Sequence, residues 1–156
     1  MSIKEWNSCE RRSSAGRHKT LPVTMSDTLR IQSQEDVVSV RQAVRKVTIA
    51  SGFNLVDQTK IVTAASELAR NTFIYGGGGT MLLEVLLEPV RRGVRLTFED
   101  QGPGIPDLQQ ALRDGFTTGN GMGLGLGGAR RLASEFDISS EPGSGTRVTY
   151  VRWKSV

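Results

Sequence analysis

The stretch that most constrains the fold is a strand-like segment that ends in a carboxylate. Residues 94–100, VRLTFED, alternate apolar and polar side chains, as a half-buried β-strand does. Asp100 continues the apolar row, and burying a carboxylate without a partner is costly. The next four residues, QGPG, hold two glycines that allow close approach of the backbone. The segment therefore predicts a strand that delivers an acidic side chain to a binding site.

Helical and strand-like periodicities alternate along the rest of the chain. They predict an α/β two-layer sandwich, with a mixed, mainly antiparallel sheet and helices on one face. The predicted elements are a strand over 28–32, helices over 35–51 and 57–75, strands over 80–88 and 94–100, helices over 107–114 and 125–135, and two strands within 137–153.

Local signals set several of these boundaries. Asp57 is a favourable N-cap for the second helix. The triplet RRG at 91–93 predicts the hairpin turn before the strand that ends at Asp100. One stripe of the second helix is expected to face the core and contains Ile61, Ala65, Leu68 and Tyr75.

The net charge of +4 is concentrated near the N-terminus. Residues 1–24 carry five basic and two acidic side chains, whereas residues 25–156 carry 15 basic and 14 acidic ones. We expect residues 1–24 to form a flexible basic extension and residues 25–156 to form one domain. Because the domain is nearly neutral, it lacks the basic footprint of a nucleic-acid-binding protein.

Cysteine usage and hydropathy indicate the compartment. Cys9 is the only cysteine in the sequence, which excludes an internal disulfide framework and a cysteine-based zinc site. No window approaches 18 consecutive apolar residues. We therefore expect no membrane association and a reducing cytoplasm.

A second glycine cluster spans residues 119–128, GNGMGLGLGG, at the start of a predicted helix. Glycine lets the backbone approach a ligand, and amides that open a helix favour anions. A phosphate-binding loop fits this pattern, and so does a flexible loop. The spacing matches neither the Walker motif nor a Rossmann fingerprint.

Glu67 and Asn71 lie four residues apart on the second predicted helix and so share a face. An asparagine oxygen can bind a magnesium ion that also holds phosphates, and a nearby glutamate can take a proton from a nucleophile. A solvated polar face explains an isolated pair of this kind equally well. The basic residues beside these motifs, Arg70, Arg130 and Arg131, could bind a phosphate or a protein partner, and solvated helix faces explain them at least as well.

Together these motifs resemble those of the GHKL ATPase and kinase superfamily, which has the Bergerat ATP-binding fold. The resemblance covers residues 28–154. It is carried, in order and approximate spacing, by SELARN, EDQGPGIPD, DGFTTGNGMGLGLGGARRL and the Gly145-Thr146 pair. Within the superfamily the motifs are most similar to anti-sigma-factor kinases, including the serine/threonine kinases of the bacterial stressosome.

The resemblance implies ATP and Mg²⁺ as ligands. Asp100 would accept a hydrogen bond from the adenine amino group, and Thr146 would assist through a bridging water. Gly102 and Gly104 would let the chain pass close to the base.

At the phosphate end, the resemblance implies that Asn71 ligates Mg²⁺ and that Glu67 is the general base. The loop over residues 116–125 would form a lid over the triphosphate. Its implied nucleotide-binding residues are Thr117, Thr118, Gly119, Gly121, Gly123, Leu124 and Gly125.

The resemblance further implies phosphorylation of a serine or threonine on a STAS-domain antagonist or scaffold of the RsbS or RsbR kind. Activation of a PP2C-type phosphatase of the RsbU kind, or of another effector, would follow in a stress-response partner-switching pathway. A dimer is compatible with it. Two alternatives stay open: an anti-sigma-factor kinase that sequesters a sigma factor, and a nucleotide-gated binding module without catalysis.

Overall fold

The computed structural model describes residues 23–113 and 125–155. In these ranges the elements follow the predicted order of strand, two helices, two strands, two helices and two strands. Their bounds are β1 Val23–Ile31, α1 Gln34–Ala50, α2 Leu55–Ile74, β2 Gly79–Leu87, β3 Arg91–Asp100, α3 Leu108–Ala111, α4 Gly125–Arg131, β4 Glu135–Glu141 and β5 Gly145–Ser155.

The strands form one sheet in the order β1-β2-β3-β5-β4. Every strand pairing in the described ranges is antiparallel, where the sequence predicted a mixed, mainly antiparallel sheet. The reason is that β2 and β3, and likewise β4 and β5, are joined by short hairpins, and β5 then pairs antiparallel with β3. The central register places Leu83 opposite Leu96 and Leu96 opposite Tyr150.

The core lies between one face of this sheet and the helices. Strand residues on that face and helix residues on the facing stripes are fully or almost fully buried, and their removal from water is the main force that holds the two layers together. The predicted two-layer α/β sandwich is therefore confirmed. The buried side chains include Val40, Val44, Ile61, Ala65, Leu68, Met81, Leu83, Leu96, Phe98, Val148 and Tyr150.

Helix α2 begins earlier than predicted. Its N-cap is Asn54, whose side-chain oxygen accepts a hydrogen bond from the backbone N–H of Asp57 at 2.8 Å. Asp57 lies in the first turn and accepts a hydrogen bond from Arg152 on β5 at 2.8 Å. The prediction that Asp57 caps the helix was wrong, because a strand nearly a hundred residues away binds its carboxylate.

The hairpin between β2 and β3 also differs from the prediction. The backbone N–H of Glu88 bonds the carbonyl of Arg91 at 2.9 Å, so the turn precedes the RRG triplet. Gly93 lies inside β3, where an added Cβ would be 2.6 Å from Cε3 of Trp153. The glycine is thus needed for ring packing and not for the turn.

Other differences concern the ends of elements. β1 is longer than the predicted 28–32 strand, whereas α3 is shorter than predicted. Helix α4 ends at Arg131 because the following backbone joins the sheet, where the N–H of Ser134 bonds the carbonyl of Val151. Tyr75 is 46% exposed and does not lie on the buried stripe of α2. None of the helices in the described ranges combines the length and hydrophobicity that a membrane span requires.

Candidate nucleotide-binding site

A cavity of about 450 Å³ opens between α2, the end of β3, the loop that follows it, and the start of α4. This volume is in the range of small-molecule sites. The cavity brings together residues that are far apart in the sequence. Those predicted for the site that line it are Glu67, Asn71, Asp100, Gly104, Gly125 and Thr146.

Asp100 is the last residue of β3 and is half-buried on the helix-covered face. Its Oδ1 accepts a hydrogen bond from the backbone N–H of Gly102 at 2.9 Å. A Cβ added at Gly76 would overlap the carboxyl group of Asp100. The carboxylate is therefore held in one place and offers acceptor oxygens to a ligand N–H group.

The importance of Gly76 was missed from the sequence. Within the sequence, the run GGGG at 76–79 is a signal for the end of a helix and no more, yet Gly76 allows the main chain to pass directly against Asp100. It also supports Gly102, because a Cβ added at Gly102 would be 2.8 Å from the Cα of Gly76. A side chain at Gly76 would displace the carboxylate, and one at Gly102 would displace the main chain of Gly76.

The loop after Asp100 is hydrogen-bonded to the turn between β4 and β5 and to β4 itself. The backbone N–H of Gly143 bonds the carbonyl of Pro103 at 2.8 Å. Gly104 has φ +78°, and a Cβ there would overlap the carbonyl of Glu141. The backbone N–H of Ile105 bonds Ser140 Oγ at 2.7 Å. This end of the cavity is thus fixed by backbone contacts on both sides.

Thr146 lies opposite Asp100 in the register of β3 and β5. Its hydroxyl is 2.8 Å from the hydroxyl of Ser140 on β4. Ser140 carries no signal of this role in the sequence, because its relation to Ile105 and Thr146 depends on the pairing of three segments. Asp100 and Thr146 place an acceptor and a hydroxyl side by side at one end of the cavity.

Glu67 and Asn71 lie on the cavity-facing side of α2, as their spacing predicted. Leu68 and Thr72, their neighbours in the helix, are buried and fix the rotation of α2 against the sheet. The main-chain carbonyl of Asn71 accepts bonds from the N–H groups of Tyr75 and Gly76 and ends the helix. Asn71 thus lies in the last turn of α2, where it lines the cavity.

The charges along the described cavity lining are mostly negative. Glu67, Asp100 and Asp107 are acidic, and Arg70 is the single basic residue among the described lining residues. A carboxylate beside an amide oxygen is a favourable environment for a hard cation such as Mg²⁺. An anionic ligand would need that cation, Arg70, or both, to offset the carboxylates.

Six predicted nucleotide-binding residues lie outside the described residues, and they all belong to the predicted lid. Gly125 is described: it begins α4 with φ +66° and lines the cavity. The residues outside the described ranges are Thr117, Thr118, Gly119, Gly121, Gly123 and Leu124.

The described residues fit Mg·ATP as a ligand. Asp100 and Thr146 provide polar groups for the edge of a base, while Phe98, Leu126 and Val148 contribute apolar wall. Asn71 provides an oxygen that suits a magnesium ion bound to phosphates. One cavity therefore contains polar groups for a base, an apolar wall and an oxygen that suits a magnesium ion.

Known proteins that resemble this chain include ATPases and protein kinases. Residues 56–155 match the family model described as histidine kinase-, DNA gyrase B-, and HSP90-like ATPase. The serine/threonine-protein kinase RsbT of Bacillus subtilis (strain 168) is 43% identical over 125 residues, which are 80% of this chain and 94% of that relative. An anti-sigma F factor of Bacillus licheniformis is 32% identical over 127 residues, covering 74% of this chain and 86% of that protein.

Two solved structures share the fold. The RsbU and RsbW domains of Rv1364c from Mycobacterium tuberculosis superpose with a TM-score of 0.56 at 23% identity, covering 84% of this chain and 32% of that longer one. The SiaB-SiaC complex from Pseudomonas aeruginosa gives a TM-score of 0.54 at 13% identity, with 99% of each chain covered. The chain belongs to the family of histidine kinase-, DNA gyrase B- and HSP90-like ATPases, and within it to the serine/threonine protein kinases related to RsbT.

Proposed function

We propose that this protein transfers the γ-phosphoryl group of Mg·ATP to a serine or threonine of a STAS-domain protein in a stress-response partner-switching pathway. The observation that carries the proposal is the single cavity that joins Asp100, Asn71 and Glu67. These three residues supply a base-binding acceptor, a magnesium-binding oxygen and a proton acceptor, which are the parts that phosphoryl transfer requires.

At the adenine end, Asp100 accepts a hydrogen bond from the exocyclic amino group, and Thr146 assists through a bridging water. The bond from Gly102 to Asp100 Oδ1 orients the carboxylate before the nucleotide arrives. A site that is already oriented loses less entropy on binding. Gly104 keeps the adjoining loop close to the base.

At the phosphate end, Asn71 contributes an oxygen to Mg²⁺, which when bound neutralises phosphate charge. Arg70 adds the fixed positive charge of the described lining. We further propose that the predicted nucleotide-binding residues between Thr117 and Gly125 contact the triphosphate.

Glu67 acts as the general base. It takes the proton of the acceptor hydroxyl, whose oxygen forms a bond to the γ-phosphorus while the bond from that phosphorus to the bridging oxygen breaks and ADP leaves. Glu67 is half-buried and lines the cavity, so it can reach both the nucleotide and a docked protein.

The proposed acceptor is a STAS-domain protein of the RsbS or RsbR kind. The 43% identity to the serine/threonine-protein kinase RsbT over most of both chains supports a protein acceptor, and the resemblance of the sequence motifs suggests the STAS class. A new phosphate adds close to two negative charges to the acceptor and weakens its interface with the kinase. The released kinase then activates a PP2C-type phosphatase of the RsbU kind. We propose that these reactions take place in the cytoplasm, as expected from the cysteine content and hydropathy of the sequence.

The experiment is transfer of γ-labelled phosphate from Mg·ATP to a STAS-domain protein encoded near this one, with wild type and Glu67→Gln compared. We expect label on a serine or threonine with the wild type and at least a hundredfold slower transfer with the variant, as for loss of a general base. Absence of transfer by a wild type that binds both ATP and the partner would favour a nucleotide-gated binding module.

A second candidate is an anti-sigma-factor kinase that also sequesters a sigma factor. The 32% identity to an anti-sigma F factor is the observation in its favour. Gel filtration of the purified protein with the sigma factors of its host separates the two candidates. A stable complex with one of them would favour this alternative over the RsbT-like function.

A further inference from the structure

Ser140 connects the two segments that form the proposed adenine end of the cavity. Its Oγ accepts a hydrogen bond from the backbone N–H of Ile105 at 2.7 Å and lies 2.8 Å from Oγ1 of Thr146. A third contact, to the carbonyl oxygen of Gly145, is longer, at 3.2 Å. One hydroxyl on β4 thus contacts the loop after Asp100 and the start of β5.

The number of protons in this cluster limits how Thr146 can bind. A serine hydroxyl donates one hydrogen bond and accepts two. If Ser140 donates to the carbonyl of Gly145, then Thr146 must donate to Ser140, and all three contacts become hydrogen bonds. If Ser140 donates to Thr146 instead, the carbonyl of Gly145 loses this partner. The first arrangement satisfies more groups. In it, the hydroxyl of Thr146 can only accept hydrogen bonds from a ligand in the cavity.

We propose that Ser140 is a positioning residue that fixes Thr146 as a hydrogen-bond acceptor and thereby makes the site selective for adenine over guanine nucleotides. This inference rests on the proposed function, because it assumes that Asp100 and Thr146 face the base. Ser140 acts through Thr146 and does not touch the nucleotide itself.

The chemistry of the two purines gives the selectivity. Asp100 and an acceptor-only Thr146 together favour ligand groups that donate, such as the adenine amino group. Guanine presents a carbonyl oxygen at the same ring position, and acceptors facing each other are unfavourable. A water that donates one hydrogen bond to Thr146 has a second proton to donate to N1 of adenine, which is unprotonated. N1 of guanine carries a hydrogen and cannot accept that bond.

The test is calorimetric titration of the full chain with Mg·ATP and Mg·GTP, for wild type and Ser140→Ala. Without Ser140, the hydroxyl of Thr146 is free to rotate and donate to guanine. We expect the ratio of GTP to ATP dissociation constants to fall about fivefold, the effect of one neutral hydrogen bond. Ser140→Thr keeps a hydroxyl and is expected to keep the ratio near that of the wild type.

Ser139→Ala is the matched control, since Ser139 is the preceding residue on β4 and its side chain faces the other side of the sheet. The expected result is an unchanged ratio. In the double variant with Thr146→Val, the Ser140→Ala change should have no further effect on the ratio, because its target is gone.

Two results would overturn the inference. Equal weakening of ATP and GTP binding by Ser140→Ala would mean that Ser140 only supports the loop at Ile105. An unchanged ratio with unchanged affinities would mean that Thr146 is oriented without it. A wild type that binds neither nucleotide would instead overturn the proposed function itself, and this inference with it.

Discussion

Arg152 on β5 donates a hydrogen bond from Nη2 to Oδ1 of Asp57 on α2 at 2.8 Å. The same guanidinium donates from Nη1 to the main-chain carbonyl of Leu132, just beyond α4, at 3.2 Å. One side chain therefore joins the last strand to α2 and to the end of α4, two of the helices that line the cavity. Because the Arg152 and Asp57 side chains are each only 20% exposed, water weakens this ion pair less than a surface pair.

We expect Arg152→Ala to lower the free energy of unfolding by about 2 kcal/mol, because it leaves Asp57 and the carbonyl of Leu132 without this donor. Arg30→Ala is the control, since the Arg30 side chain is 76% exposed and its contact with Asp36 is 3.9 Å. That variant should change stability by less than about 1 kcal/mol. Urea unfolding measures both, and equal losses would contradict the role assigned to Arg152.

Tyr150 should make the fold sensitive to alkali. Its side chain is fully buried, and its hydroxyl donates to the carbonyl of Leu132 at 2.8 Å. Burial, the largest cause, raises the pKa of Tyr150 above its usual value, with a further increase from Asp57 and an opposing effect of Arg152. The unfolded chain then ionises first, so this contribution is complete below a pH of about 10 and is lost as the pH rises above it.

Tyr150→Phe is expected to remove part of this alkaline sensitivity. At neutral pH it should also lower the free energy of unfolding by about 1 kcal/mol, the value of one hydrogen bond. Thermal unfolding of both proteins between neutral pH and a pH near 11 measures the difference. Parallel pH profiles for the two proteins would contradict the assignment.

Gly76→Ala should weaken ATP binding by roughly 10- to 100-fold, the range for loss of a hydrogen bond to a charged group. The reason is steric, because the new Cβ would overlap the carboxyl group of Asp100. Gly77→Ala is the control: it has φ +73° but no atom within 4 Å of an added Cβ. It should lower stability through backbone strain and keep nucleotide affinity. Equal affinities for the two variants would argue against the steric explanation.

Asn71→Ala should abolish most of the magnesium dependence of nucleotide binding, because the proposed protein ligand of the ion is removed. The measurement is ATP affinity in the presence of Mg²⁺ and of a chelator. Thr59→Ala on the same helix is the control, since its hydroxyl bonds only within the helix, to the carbonyl of Leu55. A full magnesium effect in Asn71→Ala would show that the ion binds without this residue.

The periodicity of the sequence predicted the order of the elements and the residues that share a face. Glu67 and Asn71 were placed on one side of a helix by their spacing alone, and Asp100 by the alternation of its strand. These predictions succeeded because they depend only on helix and strand geometry. The cavity lining follows from the same geometry once the sheet has formed.

The predictions that failed concern residues whose roles depend on partners far away in the sequence. Asn54 and Asp57 are both good caps, and the ion pair with Arg152 decides between them. Gly93 was assigned to a turn because the sequence does not show its packing partner. That partner is the ring of Trp153, which comes from another strand. The role of Ser140 could not be recognised from the sequence. Its two closest partners, the hydroxyl of Thr146 and the backbone N–H of Ile105, belong to segments that the sheet register brings together.

Asp100 and Asn71 are proposed to bind one Mg·ATP, and calorimetry of ATP binding to wild type and Asp100→Asn tests this site most directly. We predict one ATP per chain for the wild type and a loss of roughly 10- to 100-fold in affinity for the variant, because the amide loses the charge-assisted bond. The variant should unfold at nearly the same denaturant concentration as the wild type. Unchanged ATP affinity in a folded Asp100→Asn protein would contradict the account.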